Sequence, residues 1–237
     1  MHRSLPMSAV NALAGALFSA SIMVSTIAPA AAETSEPYAG KLAFTVLRGD
    51  KPIGTHEITF TEVGDETHVD IDIELAVKIG FLTVFRYTHQ NREVWKGGQL
   101  VSVSTDTHDD GKEFEVRAAQ AKDGLHVRTL ADERILPSTA IPTSYWNPEI
   151  LRNKQWLDTQ RGILLDIDVG KVGLETVKLA DGRAVEAERY EVTGDLNITV
   201  WYTPQGEWVK LSFPARGSDI EYVLTEGYTG TRLSLAQ

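Results

Sequence analysis

Apolar and polar side chains alternate with a period of two along much of the chain. The clearest case is Thr67 to Val77, where Val69, Ile71, Ile73, Leu75 and Val77 share one parity while His68, Asp70, Asp72 and Glu74 share the other. Neighbouring side chains of a strand point to opposite faces, so this stretch predicts a β-strand with one dry face and one wet face. Turn signals punctuate the pattern at Gly49-Asp50, Gly64-Asp65, Gly97-Gly98, Asp110-Gly111, Asp123-Gly124, Asp181-Gly182, Gly194-Asp195 and Pro204-Gln205-Gly206. Short strand-forming runs between such signals predict successive antiparallel hairpins. The fold class that follows is all-β, a single antiparallel sheet curled into a spiral or barrel-like structure.

Two stretches depart from the alternation. Ile79 to Tyr87 carries apolar residues on both parities, which predicts burial on both faces or the lining of something greasy. Ser144 to Gly162 (SYWNPEILRNKQWLDTQRG) holds two of the five tryptophans and a helix start. Asn147 can cap the helix, Pro148 suits its first position, and Glu149 sits near the positive end of the dipole. One short helix near residues 148–154 is expected, bridging strands that reach Ile135 and strands that resume at Ile163. In the last hairpin, pairing Val200 with Val209 and Ile198 with Leu211 brings apolar side chains together and sets Trp201 opposite Trp208 on the far face.

The beginning of the chain reads as a secretory signal peptide: Arg3, the mostly apolar stretch Ala9 to Ile27, then the small-residue site Ala30-x-Ala32. Cleavage between Ala32 and Glu33 separates residues 1–32 from a single antiparallel β domain, 33–237, expected in the periplasm. The sequence has no cysteine, which removes disulfides, thiolate nucleophiles, Cys-based zinc sites and a lipid-anchoring cysteine. A formal net charge of −10 repels phosphate backbones, so nucleic acid is not an expected partner. After Glu33 no apolar run is long enough for a membrane-spanning helix, and no transmembrane anchor is expected after cleavage.

Local signatures of chemistry are scarce. His56, His68, His89, His108 and His126 show no HxH or HExxH spacing, and no metal or cofactor is expected. The row of His68, Asp70, Asp72 and Glu74 could hold a hard cation, but it reads better as a solvated outer face. No Gly-x-Ser-x-Gly motif occurs, and a triad of Ser144, His89 and Asp158 rests on residue type alone. Glycoside chemistry by Asp158 with Glu93 or Asp106 needs carboxylates about 5–10 Å apart. Asp158-Thr159-Gln160-Arg161-Gly162 is the most functional-looking polar run, and equally a turn whose side chains satisfy backbone groups. No catalytic residue is assigned. The candidate ligand- or partner-contacting residues are Phe81, Phe85, Tyr145, Trp146, Asp158, Trp201 and Trp208, with core packing as the competing role for the aromatic ones.

Gly54-Thr55-His56, Phe81 to Tyr87, Ser144-Tyr145-Trp146-Asn147 and Leu157-Asp158-Thr159-Gln160 resemble an uncharacterised family of exported proteobacterial proteins, over nearly the whole chain after residue 33. More distantly the layout resembles the periplasmic β-spiral envelope-integrity proteins of alphaproteobacteria, in which one long sheet curls around itself. Those proteins carry a disulfide, which this chain lacks. The resemblance implies a periplasmic protein supporting the cell envelope, with no catalytic residues to carry over. Three functions follow as expectations. The first is non-catalytic binding or scaffolding of an envelope protein or wall polymer. The second is carriage of a lipid or lipidated protein in a half-open barrel lined by Ile79 to Tyr87, although lipoprotein carriers lay helices across their cavity and this chain offers one short helix. The third is an envelope-directed hydrolase near Asp158. An outer-membrane barrel fits less well, because many segments are short or interrupted by charge.

Overall fold

The computed structural model describes residues 40–215 and 217–229, so the expected signal peptide lies outside the described residues. Fifteen strands follow in order: β1 (Lys41–Arg48), β2 (Lys51–Val63), β3 (Glu66–Ile79), β4 (Leu82–Lys96), β5 (Gln99–Asp109), β6 (Lys112–Ala121), β7 (Gly124–Thr129), β8 (Glu133–Leu136), β9 (Ile141–Pro142), β10 (Gln155–Leu157), β11 (Leu164–Lys178), β12 (Ala184–Gly194), β13 (Ile198–Tyr202), β14 (Trp208–Ala215) and β15 (Ser218–Glu226). They form one sheet in the order β8-β7-β6-β5-β4-β3-β2-β1-β15-β14-β13-β12-β11-β10-β9. The sheet is all-β and not closed by a β8–β9 ladder. Its pairs are antiparallel except β9 with β10, where Trp156 aligns with Ile141 in parallel.

This order forces the sheet to roll. β8 and β9 are consecutive in the chain yet stand at opposite ends of the sheet, with only residues 137–140 between them. Four linking residues reach no more than about 18 Å, whereas fifteen strands laid flat would spread over about 67 Å. The two edges are therefore brought close, and one face of the sheet becomes an interior. The segment from Ile141 to Ile163, called the seam here, crosses that interior. The Thr105 hydroxyl donates to the Thr159 carbonyl at 2.7 Å, and the Trp146 indole N–H donates to Glu93 at 3.1 Å.

The expected strand over Thr67–Val77 is present within β3, with Val69 and Ile71 buried and the polar parity outward. The expected helix is shorter and tighter: a 3-10 helix at Pro148–Arg152. Asn147 caps it, accepting the Glu149 N–H at 3.0 Å. An α-helix would send the Ile150 carbonyl to the N–H of Lys154. Here that carbonyl accepts the Asn153 N–H at 3.1 Å and the Trp156 indole N–H at 2.9 Å, so the helix ends and the chain turns into β10.

The hairpin of β13 and β14 also differs from expectation. Val200 pairs with Leu211, and Trp201 with Lys210, while Tyr202 pairs with Trp208 across a bulge between Trp201 and Tyr202. Thr203 and Glu207 bond across a three-residue loop, the Thr203 N–H donating to the Glu207 carbonyl at 2.8 Å. The extra residue in one strand shifts the pairing, so the two tryptophans do not oppose each other. Trp208 turns inward against Phe44, Tyr145 and Tyr222. Trp201 donates its indole N–H to Glu175 at 2.9 Å and lies beneath Lys210, 5.0 Å from the ring centre.

Gly162 shows how closely the seam fits. Its φ is +66°, and an added Cβ would sit 2.8 Å from Thr129 Cγ2 and 3.1 Å from Val127 Cγ1. Gly64 has a similar φ of +68° but open space around it. Gly64→Ala should lose about 1–2 kcal/mol from the left-handed backbone alone, and Gly162→Ala at least about 1 kcal/mol more from the clash. Urea unfolding of both variants measures the difference. Equal losses would mean that the seam does not press on β7.

Candidate ligand cavity

The rolled interior is filled at one end and hollow at the other. The filled end is aromatic: Trp95 and Phe60 meet the Trp146 ring edge-on, each with centroids 5.3 Å apart. Glu93 is buried beside them and accepts three N–H groups, from Trp95 at 2.8 Å, Asn91 at 2.9 Å and Trp146 at 3.1 Å. Burial nevertheless raises its pKa, outweighing the hydrogen bonds that favour the charged form.

The hollow is a cavity of about 540 Å³. One wall is the inward face of β3, with Ile71, Ile73, Leu75 and Val77, and a second comes from Ile198, Leu211, Ile220 and Tyr222. A third is polar and belongs to the seam and β4, including Tyr145, Asp158, Thr159, Tyr87 and His89. The exposed residues Val84 and Arg161 are part of the lining, so the cavity opens to solvent there.

β4 supplies the polar wall because its inward parity reads Tyr87, His89, Asn91, Glu93, Trp95. These side chains hold the seam. The Tyr87 hydroxyl donates to Gln160 Oε1 at 3.2 Å, and the His89 ring stands 2.6 Å from the Thr107 hydroxyl and 3.4 Å from that of Thr159. His89 is lowered to about 4, chiefly by burial, with Asp158 and Asp106 acting in the opposite sense. His56, two strands away at the same level across Ile73, is lowered further, to about 3, by burial and then by His89. Among the described residues neither of its ring nitrogens has a hydrogen-bond partner. Trp208 and Tyr222 meet it edge-on at 5.5 and 5.6 Å.

The residues singled out in the sequence scatter. Phe85, Tyr145 and Asp158 line the cavity. Phe81 lies outside it, fully exposed at the β3–β4 turn. Trp146 and Trp208 are core side chains, and Trp201, also buried, packs under Glu175, Arg189 and Lys210 and takes no part in the cavity lining. Tyr145 reaches the wall through a left-handed backbone, φ +63°, held by the Tyr202 hydroxyl donating to its carbonyl at 2.7 Å. Asp158 acts as the turn residue: Oδ1 accepts the N–H groups of Gln160 and Arg161 at 2.8 and 2.9 Å, and Oδ2 the Arg161 Nε–H at 2.5 Å. Asp106 points outward to Arg117, which removes it from any carboxylate pair with Asp158. Ser144, His89 and Asp158 all line the cavity, but the ring nitrogens of His89 face the hydroxyls of Thr107 and Thr159. Sequence reasoning missed His56, Asn91 and Glu93 as inward groups. Both parities of β4 are polar over this stretch, so alternation carries no signal there.

A family model described as domain of unknown function DUF6134 matches residues 44–225. Among solved structures, the crystal structure of a beta-barrel-like protein of domain of unknown function DUF1849 from Brucella abortus resembles this chain with a TM-score of 0.54 at 11% identity. The match covers 78% of this chain and 94% of that one, and at such identity it establishes the fold alone. No curated protein matches.

The buried histidines set a pH dependence. Both are depressed below the usual value near 6.5, so the stability they confer is complete above pH 6.5 and is lost as pH falls toward 4 for His89 and 3 for His56. Glu93 has the opposite sign, its raised pKa favouring the fold below its ordinary value of 4.5. His56→Leu should flatten the loss of stability between pH 6 and 4 by up to ~1.4 kcal/mol per pH unit, one proton's worth. Urea unfolding across that range tests it; an unchanged slope would show that His56 takes up no proton on unfolding.

Proposed function

The chain belongs to the DUF6134 family, a domain of unknown function, and we propose that it is a non-catalytic binding protein for an apolar ligand, the acyl chain of a lipid or lipidated protein, working in the cell envelope after export. The observation that carries this reading is the cavity. Its volume of about 540 Å³ lies within the range of small-molecule sites, about 300–1,000 Å³. Its walls on β3 and β13–β15 are aliphatic and aromatic, and it opens at one end. Carriage without catalysis is supported by the state of the groups that chemistry would use. Asp158 is engaged by its own turn, Glu93 by three N–H donors, and His89 is held neutral well below pH 7. The apolar stretch Ala9 to Ile27 followed by Ala30-x-Ala32, the pattern of a secretory signal, supports the compartment.

A second reading, hydrolysis of envelope material, draws on the presence of His89, Asp158 and Asp109 around one cavity. It is the weaker one: a base depressed to about 4 is poorly matched to proton abstraction near neutrality.

Leu75 lines the hollow and is only half-buried, so a larger side chain there fills space without displacing the core. A fluorescent acyl probe should bind the protein, and Leu75→Trp should weaken that binding by about tenfold or more, the equivalent of ~1.4 kcal/mol, with little change in thermal unfolding. Titration by fluorescence measures both affinities. A wild-type protein that takes up no probe, or a variant that binds as well, would remove the cavity as a ligand site.

A further inference from the structure

The β3–β4 hairpin outruns its neighbours. β2 pairs with β3 as far as Gly54 with Leu75, and β5 pairs with β4 as far as Asp109 with Tyr87. Past those points the ladder continues as Ala76 with Arg86, Val77 with Phe85, Lys78 with Thr83 and Ile79 with Leu82. Among the described residues these pairs have no third strand, and one backbone bond, Asp110 N–H to the Arg86 carbonyl at 2.8 Å, ties the base. A two-stranded ribbon therefore stands beyond the rim of the sheet.

Its tip is apolar and wet. Phe81 is 106% exposed, Ile79 70%, Leu82 65% and Val84 42%. Single exposed apolar side chains are ordinary, but four within six consecutive positions make a patch that calls for a partner. The charge around it is distinctive too. In a chain of net charge −10, the eighteen residues from Leu75 to Arg92 contain no acid and carry Lys78, Arg86 and Arg92. Arg92 is taken by Asp70 at 2.6 Å, lower on the strand. Asp109 and Asp110 reach only the base of the ribbon.

We propose that this ribbon docks the protein onto an anionic lipid surface, with Phe81 and Leu82 entering the acyl boundary and Lys78 and Arg86 level with the headgroup phosphates. An apolar tip backed by basic residues suits a negatively charged bilayer interface. A protein partner fits less well, because one hairpin turn offers far less than the roughly 800 Å² per side of a stable interface. The patch is also continuous with the hollow, since Val77, Val84 and Phe85 belong to the cavity lining. A chain leaving the bilayer along the ribbon meets these apolar side chains on its way into the cavity. That loading route rests on the apolar-ligand reading; the docking does not.

Flotation with phosphatidylglycerol/phosphatidylcholine vesicles and with pure phosphatidylcholine vesicles tests the proposal, using the whole protein. The wild type should float with the anionic vesicles and less so as salt rises. Phe81→Asp should weaken flotation by about tenfold, the scale of one buried aromatic side chain. Lys78→Glu with Arg86→Glu should erase the preference for anionic vesicles. Both variants alter exposed positions, so circular dichroism and unfolding curves should match the wild type. Failure of the folded wild type to float, or flotation by Phe81→Asp at wild-type strength, overturns the docking, as does capture of a protein through this tip without any flotation. Binding of the acyl probe separates the two readings: probe bound without flotation sinks the docking alone, and flotation without probe sinks the cavity alone.

Discussion

The structure depends on a mismatch between chain order and sheet order. β1 to β8 step outward on one side of β1, while β15 back to β9 step outward on the other. A chain that finishes one edge must start the next strand at the opposite edge, and four residues allow it no distance to do so. Rolling is the only geometry that satisfies both ladders. Once rolled, the sheet has an inside, and the inward parity of every strand becomes core, cavity wall or seam contact. The fold is thus set less by any one contact than by the shortness of the link between Leu136 and Ile141.

The seam then decides what the inside contains. It occupies the side of the interior bounded by β4 to β7, and β4 and β5 meet it with Tyr87, His89, Glu93 and Thr105 instead of aliphatic side chains. Burying such groups is unfavourable unless they are paired, and pairing is what the seam provides: Gln160 for Tyr87, Thr159 for His89 and Thr105, and the Trp146 indole for Glu93. A hydrophobic strip would have bound the seam without fixing its position. A polar strip holds it at one register, because a displaced seam leaves buried donors and acceptors unsatisfied. On the side bounded by β3 and β13 to β15 the seam reaches in with Tyr145, against Trp208 and Tyr202, and the space beyond it stays hollow.

Parity was legible in the sequence wherever one face of a strand is dry and the other wet, and β3 is the example. Turn residues marked the hairpins for the same local reason: a left-handed backbone selects glycine whatever the rest of the fold does. What parity cannot carry is a bulge. One extra residue on β14, Val209, between the partners of Trp201 and Tyr202, resets the alternation, and the pairing of β13 with β14 follows the bulge. The short helix came out shorter and tighter for a different reason, since a tryptophan six residues on takes the carbonyl that an α-helix would use. Among the candidate site residues, the aromatic ones were readable as aromatic but not as inward or outward. Phe81 and Trp146 look alike in the sequence, yet one stands in solvent and the other sits at the filled end of the core. His56 shares its parity with Ile58 and Phe60 in β2, a signal that points inward, whereas Glu93 sits where both parities of β4 are polar and shows as inward only once the partner surface is known.

An empty apolar space weakens a fold, because the side chains around it lack neighbours on one side. Within a closed core the penalty grows by about 24 cal/mol per Å³, and a hollow of about 540 Å³ would by that measure forfeit on the order of 10 kcal/mol, as much as many domains possess. Opening one end to water reduces the penalty, and the remainder falls on the ladder and on the aromatic cluster around Trp208. Filling the space would take only larger side chains at positions such as Ile73 or Ala215, which already face it. The aliphatic wall of β3 is instead kept short of closure beside a rim that stays open. A dry surface kept accessible at the expense of stability supports the proposed uptake of an apolar ligand, and that support comes from the packing of this chain, with no help from its relatives.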